Sequence, residues 1–161
     1  MDGTQAGEQT CTFDIPEDST VTCFPLDVPG DISDVYFIQL LLTDAEGTLL
    51  SRNFYWKGKE EGNLKALLDV PKARVSARVS GDGEDFEVRL SNTGRAPALM
   101  LRLKVMDSGT RDLVLPVWYS DNYIFLMPGE SREISVHVRK EDCGGAPVLS
   151  LEGFNMDNQR L

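Results

Sequence analysis

A chain of 161 residues with 41% hydrophobic side chains has enough apolar material for a real core, which excludes wholesale disorder and fits one domain or one domain plus part of another. Its 26 acidic against 16 basic side chains leave a net charge of -10, a surface that repels phosphate backbones and anionic lipid, so no nucleic-acid partner is expected. No apolar run approaches the roughly 20 residues of a membrane span, and the opening MDGTQAGEQT lacks the basic and apolar regions of a signal peptide.

Turn signals cut the chain into short β-rich runs. Thr10 to Ile15, Ser19 to Leu26, Val35 to Thr43 and Thr48 to Trp56 read as four strands, broken at Pro16-Glu17-Asp18, Pro29-Gly30-Asp31 and Asp44-Ala45-Glu46-Gly47. The last break is a hairpin turn, because Gly47 supplies a positive φ. Phe37, Leu40, Leu42, Phe54 and Trp56 then form an apolar set that one sheet cannot cover. Residues 1–57 are therefore expected to be the second half of a β-sandwich, with self-association through the Val35 to Trp56 sheet. Residues 58–71 read as a linker, holding at most a helical turn over Asn63 to Asp69 before Pro71.

From Lys72 the alternation restarts. Strands are expected over Ala73 to Ser80, Phe86 to Leu90, Ala98 to Met106, Leu113 to Tyr119, Tyr123 to Leu126, Glu133 to Val138 and Pro147 to Phe154. Val75, Ala77 and Val79, then Phe86, Val88 and Leu90, then Leu99, Leu101, Leu103 and Val105 are the expected inward faces. Seven short strands over residues 72–161 describe an all-β, immunoglobulin-like sandwich. No helix of useful length interrupts them, which excludes an α/β enzyme core.

Few residues suggest chemistry. Cys11, Cys23 and Cys143 show no CxxC spacing, and the only histidine, His137, lies far from the Cys11–Cys23 pair, so no metal site is expected. Cys11 and Cys23 can meet across neighbouring strands, but free buried thiols are the favoured reading. Gly81-Asp82-Gly83-Glu84-Asp85 reads as a hairpin turn rather than a calcium loop, since the longer ligand spacing is missing. His137 falls on the outer face beside Ser135 and Arg139. No cofactor or nucleophile motif is present. One loop competes for a binding role: Trp118, Tyr119, Ser120, Asp121, Asn122 and Tyr123 combine rings that stack on pyranose faces with groups that bind hydroxyls. The structural reading places Trp118 and Tyr123 in the core, with Asp121-Asn122 capping a turn.

Two stretches carry a family resemblance. Leu49-Leu50-Ser51-Arg52-Asn53-Phe54-Tyr55-Trp56 is similar to the last strand of the sandwich that follows the catalytic barrel in glycoside hydrolase family 2 enzymes of the exo-β-glucosaminidase and β-mannosidase type. Ser91-Asn92-Thr93-Gly94, Pro97-Ala98, Pro116-Val117-Trp118-Tyr119-Ser120-Asp121-Asn122-Tyr123 and Pro128-Gly129-Glu130 resemble the terminal Ig-like domain of those enzymes. The resemblance implies a non-catalytic C-terminal accessory domain whose partner is the catalytic domain of a parent glycosidase, itself periplasmic or secreted, with glycan contact through the Trp118 to Tyr123 loop. The acid/base and nucleophile glutamates of that family lie on a (β/α)8 barrel, so no catalytic residue carries over. The alternatives are a self-standing carbohydrate-binding module with Trp118, Tyr119 and Tyr123 as a ring platform, or an adhesion-type Ig-like domain.

Overall fold

The computed structural model describes residues 3–161, which divide into two compact units, Thr4–Leu68 and Asp69–Leu161, the latter joined by Gly3. The first contains one two-stranded antiparallel sheet, β1 (Val35–Thr43) and β2 (Leu49–Gly58). Its turn is built as the sequence predicts: Asp44 Oδ1 accepts from the amides of Glu46 and Thr48 at 3.1 and 2.7 Å, and Gly47 adopts φ +84°. The base is tied by Lys59, whose amide and Nζ donate to the carbonyls of Asp34 and Gly30, both at 2.7 Å.

The register, Phe37 opposite Trp56 and Leu40 opposite Asn53, divides the expected apolar set. Phe37, Leu41, Phe54 and Trp56 share one face, with the Phe37 and Phe54 rings 5.5 Å apart. Tyr36, Ile38, Leu40, Leu42 and Tyr55 share the other. Leu40, Leu41, Leu42, Leu49 and Leu50 are all exposed.

The other two expected front strands do not form. Thr10 to Ile15 and Ser19 to Leu26 make no ladder. Ile15, Val21 and Leu26 remain exposed and Phe13 and Phe24 are only half-buried, and Pro16 and Pro25 offer no amide to a partner. Cys11 is half-buried and Cys23 exposed, so these are not the buried thiols expected. A 3-10 turn at Lys65–Asp69 occupies the place where the sequence suggests a helical turn.

The second unit is a sandwich of two four-stranded sheets. One runs β3 (Val75–Asp82), β4 (Asp85–Asn92), β8 (Ser131–Val138), β6 (Val117–Tyr119). The other runs β10 (Gln159–Arg160), β9 (Pro147–Glu152), β5 (Ala98–Asp107), β7 (Ile124–Leu126). Val88, Leu90, Ile134, Val136 and Val138 from the first meet Leu101, Leu103, Val105, Leu126 and Leu151 from the second in one continuous core. The β3–β4 connection is a two-residue turn with Gly83 at φ +71°, the hairpin foreseen for that acidic stretch.

Three details depart from simple alternation. Met100 sits at φ +52° and shifts the β5–β7 register, so Ala98 joins the core while Leu99, though fully buried, does not belong to it. The expected strand from Leu113 shortens to Val117–Tyr119; the chain bends at Leu115-Pro116 and Leu115 is exposed. Residues 159–160 add a short edge strand that their composition does not announce.

Buried polar groups fix the ends of the sandwich. Asn92 donates to the carbonyls of Ala96 and Leu126 at 2.8 and 2.9 Å and accepts from the Gly94 amide. Asn155 donates to the carbonyls of Pro71 and Pro97 and accepts from Leu99. Asp107, 6% exposed, accepts from the amides of Gly109, Thr110 and Gly145. Those backbone donors, led by Thr110, hold its carboxyl below the ordinary 3.8.

Asn92→Ala should destabilise by about 1–3 kcal/mol in urea denaturation, since it strands buried carbonyls. The low pKa of Asp107 means that its contribution is fully present above 3.8 and is lost as pH falls through the depressed value. Asp107→Asn should therefore lower the melting temperature at neutral pH and flatten the acid limb of its pH profile.

Candidate functional site

The period of the strands decides what the outer surface displays. Burying Ile134, Val136 and Val138 on β8 sends Ser135 and His137 outward, and burying Val88 and Leu90 on β4 sends Asp85 and Glu87 to the same side. Register aligns them: Trp118 on β6 pairs with His137, and His137 pairs with Asp85. The result is a row across three strands. The Trp118 and His137 rings stand 5.5 Å apart, tilted by 45°, and His137 Nδ1 lies 2.8 Å from Asp85 Oδ1.

A second row holds Glu87, Ser135 and Ser120. The Ser120 amide donates to the Ser135 carbonyl, and Ser120 Oγ accepts the Ser135 amide, both at 2.9 Å. Together the two rows line a shallow depression of about 250 Å³. Trp118 is 51% exposed at its rim. The Trp118 indole is thus surface, not core, in contrast to the structural reading of the sequence.

The other members of the aromatic loop separate. Tyr119 packs against the core, and burial pushes its phenol up. Asp121 accepts from Arg132 Nη1 at 2.8 Å and from the Asn122 amide. Asn122 behaves as a strand residue would. Its Oδ1 accepts the Leu103 amide at 2.8 Å and its Nδ2 donates to the Leu103 carbonyl at 3.0 Å, while Oδ1 also caps the Tyr123 amide. Tyr123, at φ +55° and 51% exposed, lies under the Arg102 guanidinium, 5.5 Å from the ring centroid. Arg102 projects from the outer face of β5. Trp118 and Tyr123 therefore stand on opposite faces of the sandwich and form no shared ring platform.

Sequence reading missed Asp85 and Glu87 as neighbours of Trp118, although outward alternation on β4 and β8 was visible. Only the register connects them. Among the described residues no group of His, Cys, Asp and Glu side chains is placed to hold a metal, and no helix is long and apolar enough to cross a membrane.

Two antiparallel four-stranded sheets around one core, with a mixed aromatic and carboxylate patch on one outer face, define an Ig-like β-sandwich domain of the accessory type. Residues 53–156 match the family model described as the exo-β-D-glucosaminidase Ig-fold domain, and the chain belongs to that family. The exo-β-D-glucosaminidase of Streptomyces avermitilis is 32% identical, with 99% of this chain and 21% of that protein aligned. A mannosylglycoprotein endo-β-mannosidase of Lilium longiflorum is 27% identical over 84% of the chain. The exo-chitosanase CsxA of Amycolatopsis orientalis superposes with a TM-score of 0.74 at 29% identity, covering 83% of this chain and 19% of that structure. The chain spans only 15–21% of the length of these relatives, and what it shares with them is the Ig-fold domain, not a catalytic region.

Trp118→Ala should change the unfolding free energy by no more than about 1 kcal/mol, as expected of a half-exposed ring. Leu101→Ala or Leu151→Ala should cost about 2–5 kcal/mol. Urea denaturation of the three variants distinguishes surface from core directly.

Proposed function

We propose that this chain acts architecturally within a larger exo-β-D-glucosaminidase-like glycosidase, seating the catalytic domain and presenting the Trp118 face to glycan. The family match over residues 53–156 carries the first part. The second rests on the row of Trp118, His137 and Asp85, in which a half-exposed indole offers a pyranose a stacking face beside groups able to hydrogen-bond its hydroxyls. Within the sequence-predicted loop, Trp118 and Ser120 face this depression, whereas Asp121 and Asn122 are committed to Arg132 and Leu103.

Titration of the 161-residue chain with glucosamine oligosaccharides, read by tryptophan fluorescence, tests the glycan contact. A saturable change that Trp118→Ala abolishes and Trp118→Phe weakens is the expected result. No change at millimolar sugar removes it. Incubation with a chromogenic β-D-glucosaminide should give no turnover, and turnover would overturn the architectural role.

The exposed leucines of the β1–β2 hairpin support association of the isolated chain with a second copy, since the sheet has only two strands among the described residues. Residues 1–51 hold ten carboxylates and no lysine or arginine, so two such copies repel, and association should strengthen as salt screens them. Sedimentation at rising ionic strength should show the dimer fraction grow, and Leu40→Lys with Leu42→Lys should return the monomer. A monomer at every salt concentration argues against the hairpin as a contact.

A further inference from the structure

All three cysteines are free thiols, yet two of them approach each other. Cys11 Sγ lies 3.9 Å from the Cys23 carbonyl oxygen. Two residues further along, the Gln9 amide donates to the Pro25 carbonyl at 3.3 Å and to Asp27 Oδ2 at 3.2 Å, and Gln9 Oε1 accepts the Asp27 amide at 3.1 Å. The side chains of Gln9 and Cys11 thus reach Pro25 and Cys23 in turn, so the two segments lie side by side and run in opposite directions. The bend between them is closed by Ser19 Oγ donating to the Pro16 carbonyl at 2.7 Å, with Asp18 at φ +54°. A disulfide needs Cα atoms about 4.4–6.8 Å apart, and a Cys11 sulfur 3.9 Å from the carbonyl oxygen of Cys23 itself makes the two residues immediate neighbours.

We infer that Cys11 and Cys23 form an intrachain disulfide that closes the 11–23 loop when the chain meets a small-molecule disulfide such as oxidised glutathione. The Cys23 thiol, the more exposed of the two, loses its proton and attacks one glutathione sulfur, releasing the first glutathione. The Cys11 thiolate then attacks the Cys23 sulfur of the mixed disulfide and releases the second. Two protein thiols give up two protons and two electrons, and one glutathione disulfide becomes two glutathione thiols.

The surroundings favour this pair over any other. No ladder and no buried apolar face orders residues 10–26, so a covalent link supplies constraint where burial does not. Cys143 belongs to the other compact unit and donates Sγ to the Arg139 carbonyl at 3.7 Å. Burial, with the carboxylates of Asp107, Asp142 and Glu84, pushes its thiol up and away from the reactive thiolate.

The test is a titration of the full chain with glutathione redox mixtures, followed by thiol counting and non-reducing digestion after glutamate. Cleavage at Glu8, Glu17 and Glu46 separates the cysteines onto peptides 9–17 and 18–46. The expected result is loss of two of the three thiols and a 9–17/18–46 pair that falls apart only on reduction. Cys143→Ser should leave the pair intact, and Cys11→Ser should trap glutathione on Cys23. Three thiols persisting under oxidising mixtures, stable glutathione adducts on the unsubstituted chain, or cross-linking only between chains would each overturn the inference.

Discussion

Everything displayed on the surface of the second unit follows from the dry layer between its two sheets. Val88, Leu90, Ile134, Val136 and Val138 are almost completely removed from water against Leu101, Leu103, Val105 and Leu151. A strand has a side-chain period of two, so a one-residue slip of β8 would expose its three aliphatic residues and bury His137 and Ser135. The Trp118–His137–Asp85 row is thus held in place by the core behind it. Its members need no bonds of their own to stay aligned.

The second sandwich was legible because that alternation is strong and continuous. The inward sets on β4 and β8 agree with the pattern, and the Gly83 hairpin sits where its glycine predicts. Leu99 escaped because a bulge at Met100, a residue with no preference for positive φ, reverses the phase of β5. The front failed for a different reason. Thr10 to Leu26 alternates as a strand would, but β-propensity expresses packing on a half-buried surface, and no such surface covers these residues.

Of the candidate site, Trp118 and its loop could be named from sequence, but not their fate. Adjacent rings looked like one set, whereas β6 and β7 belong to different sheets and send Trp118 and Tyr123 to opposite faces. Bulk charge misled in a similar way. The net charge of -10 arises wholly within residues 1–51, and the remaining 110 residues carry equal numbers of acidic and basic groups. The Ig-like unit, with 14 acidic and 12 basic side chains, is close to balance, its outer faces laced by pairs such as Arg89–Glu133, Arg132–Asp121 and the Lys104–Glu152–Arg102 group. The acidity that argues against polyanionic partners therefore concerns the front segment rather than the sandwich.

Beyond the short reach of β7, the flank of β5 is completed by groups that are not strand backbone. The Asn122 amide serves Leu103, the Val114 amide serves Val105, and the Asp112 carbonyl serves Asp107. Residues 112–114 and Asn122 thus behave as a surrogate strand assembled from scattered donors and acceptors. Shortening that connection, or replacing Asn122 by an apolar residue, would convert part of an interior strand into an open template for another chain. This connection therefore keeps a neighbour from adding itself to the sheet, a task separate from any contact with sugar.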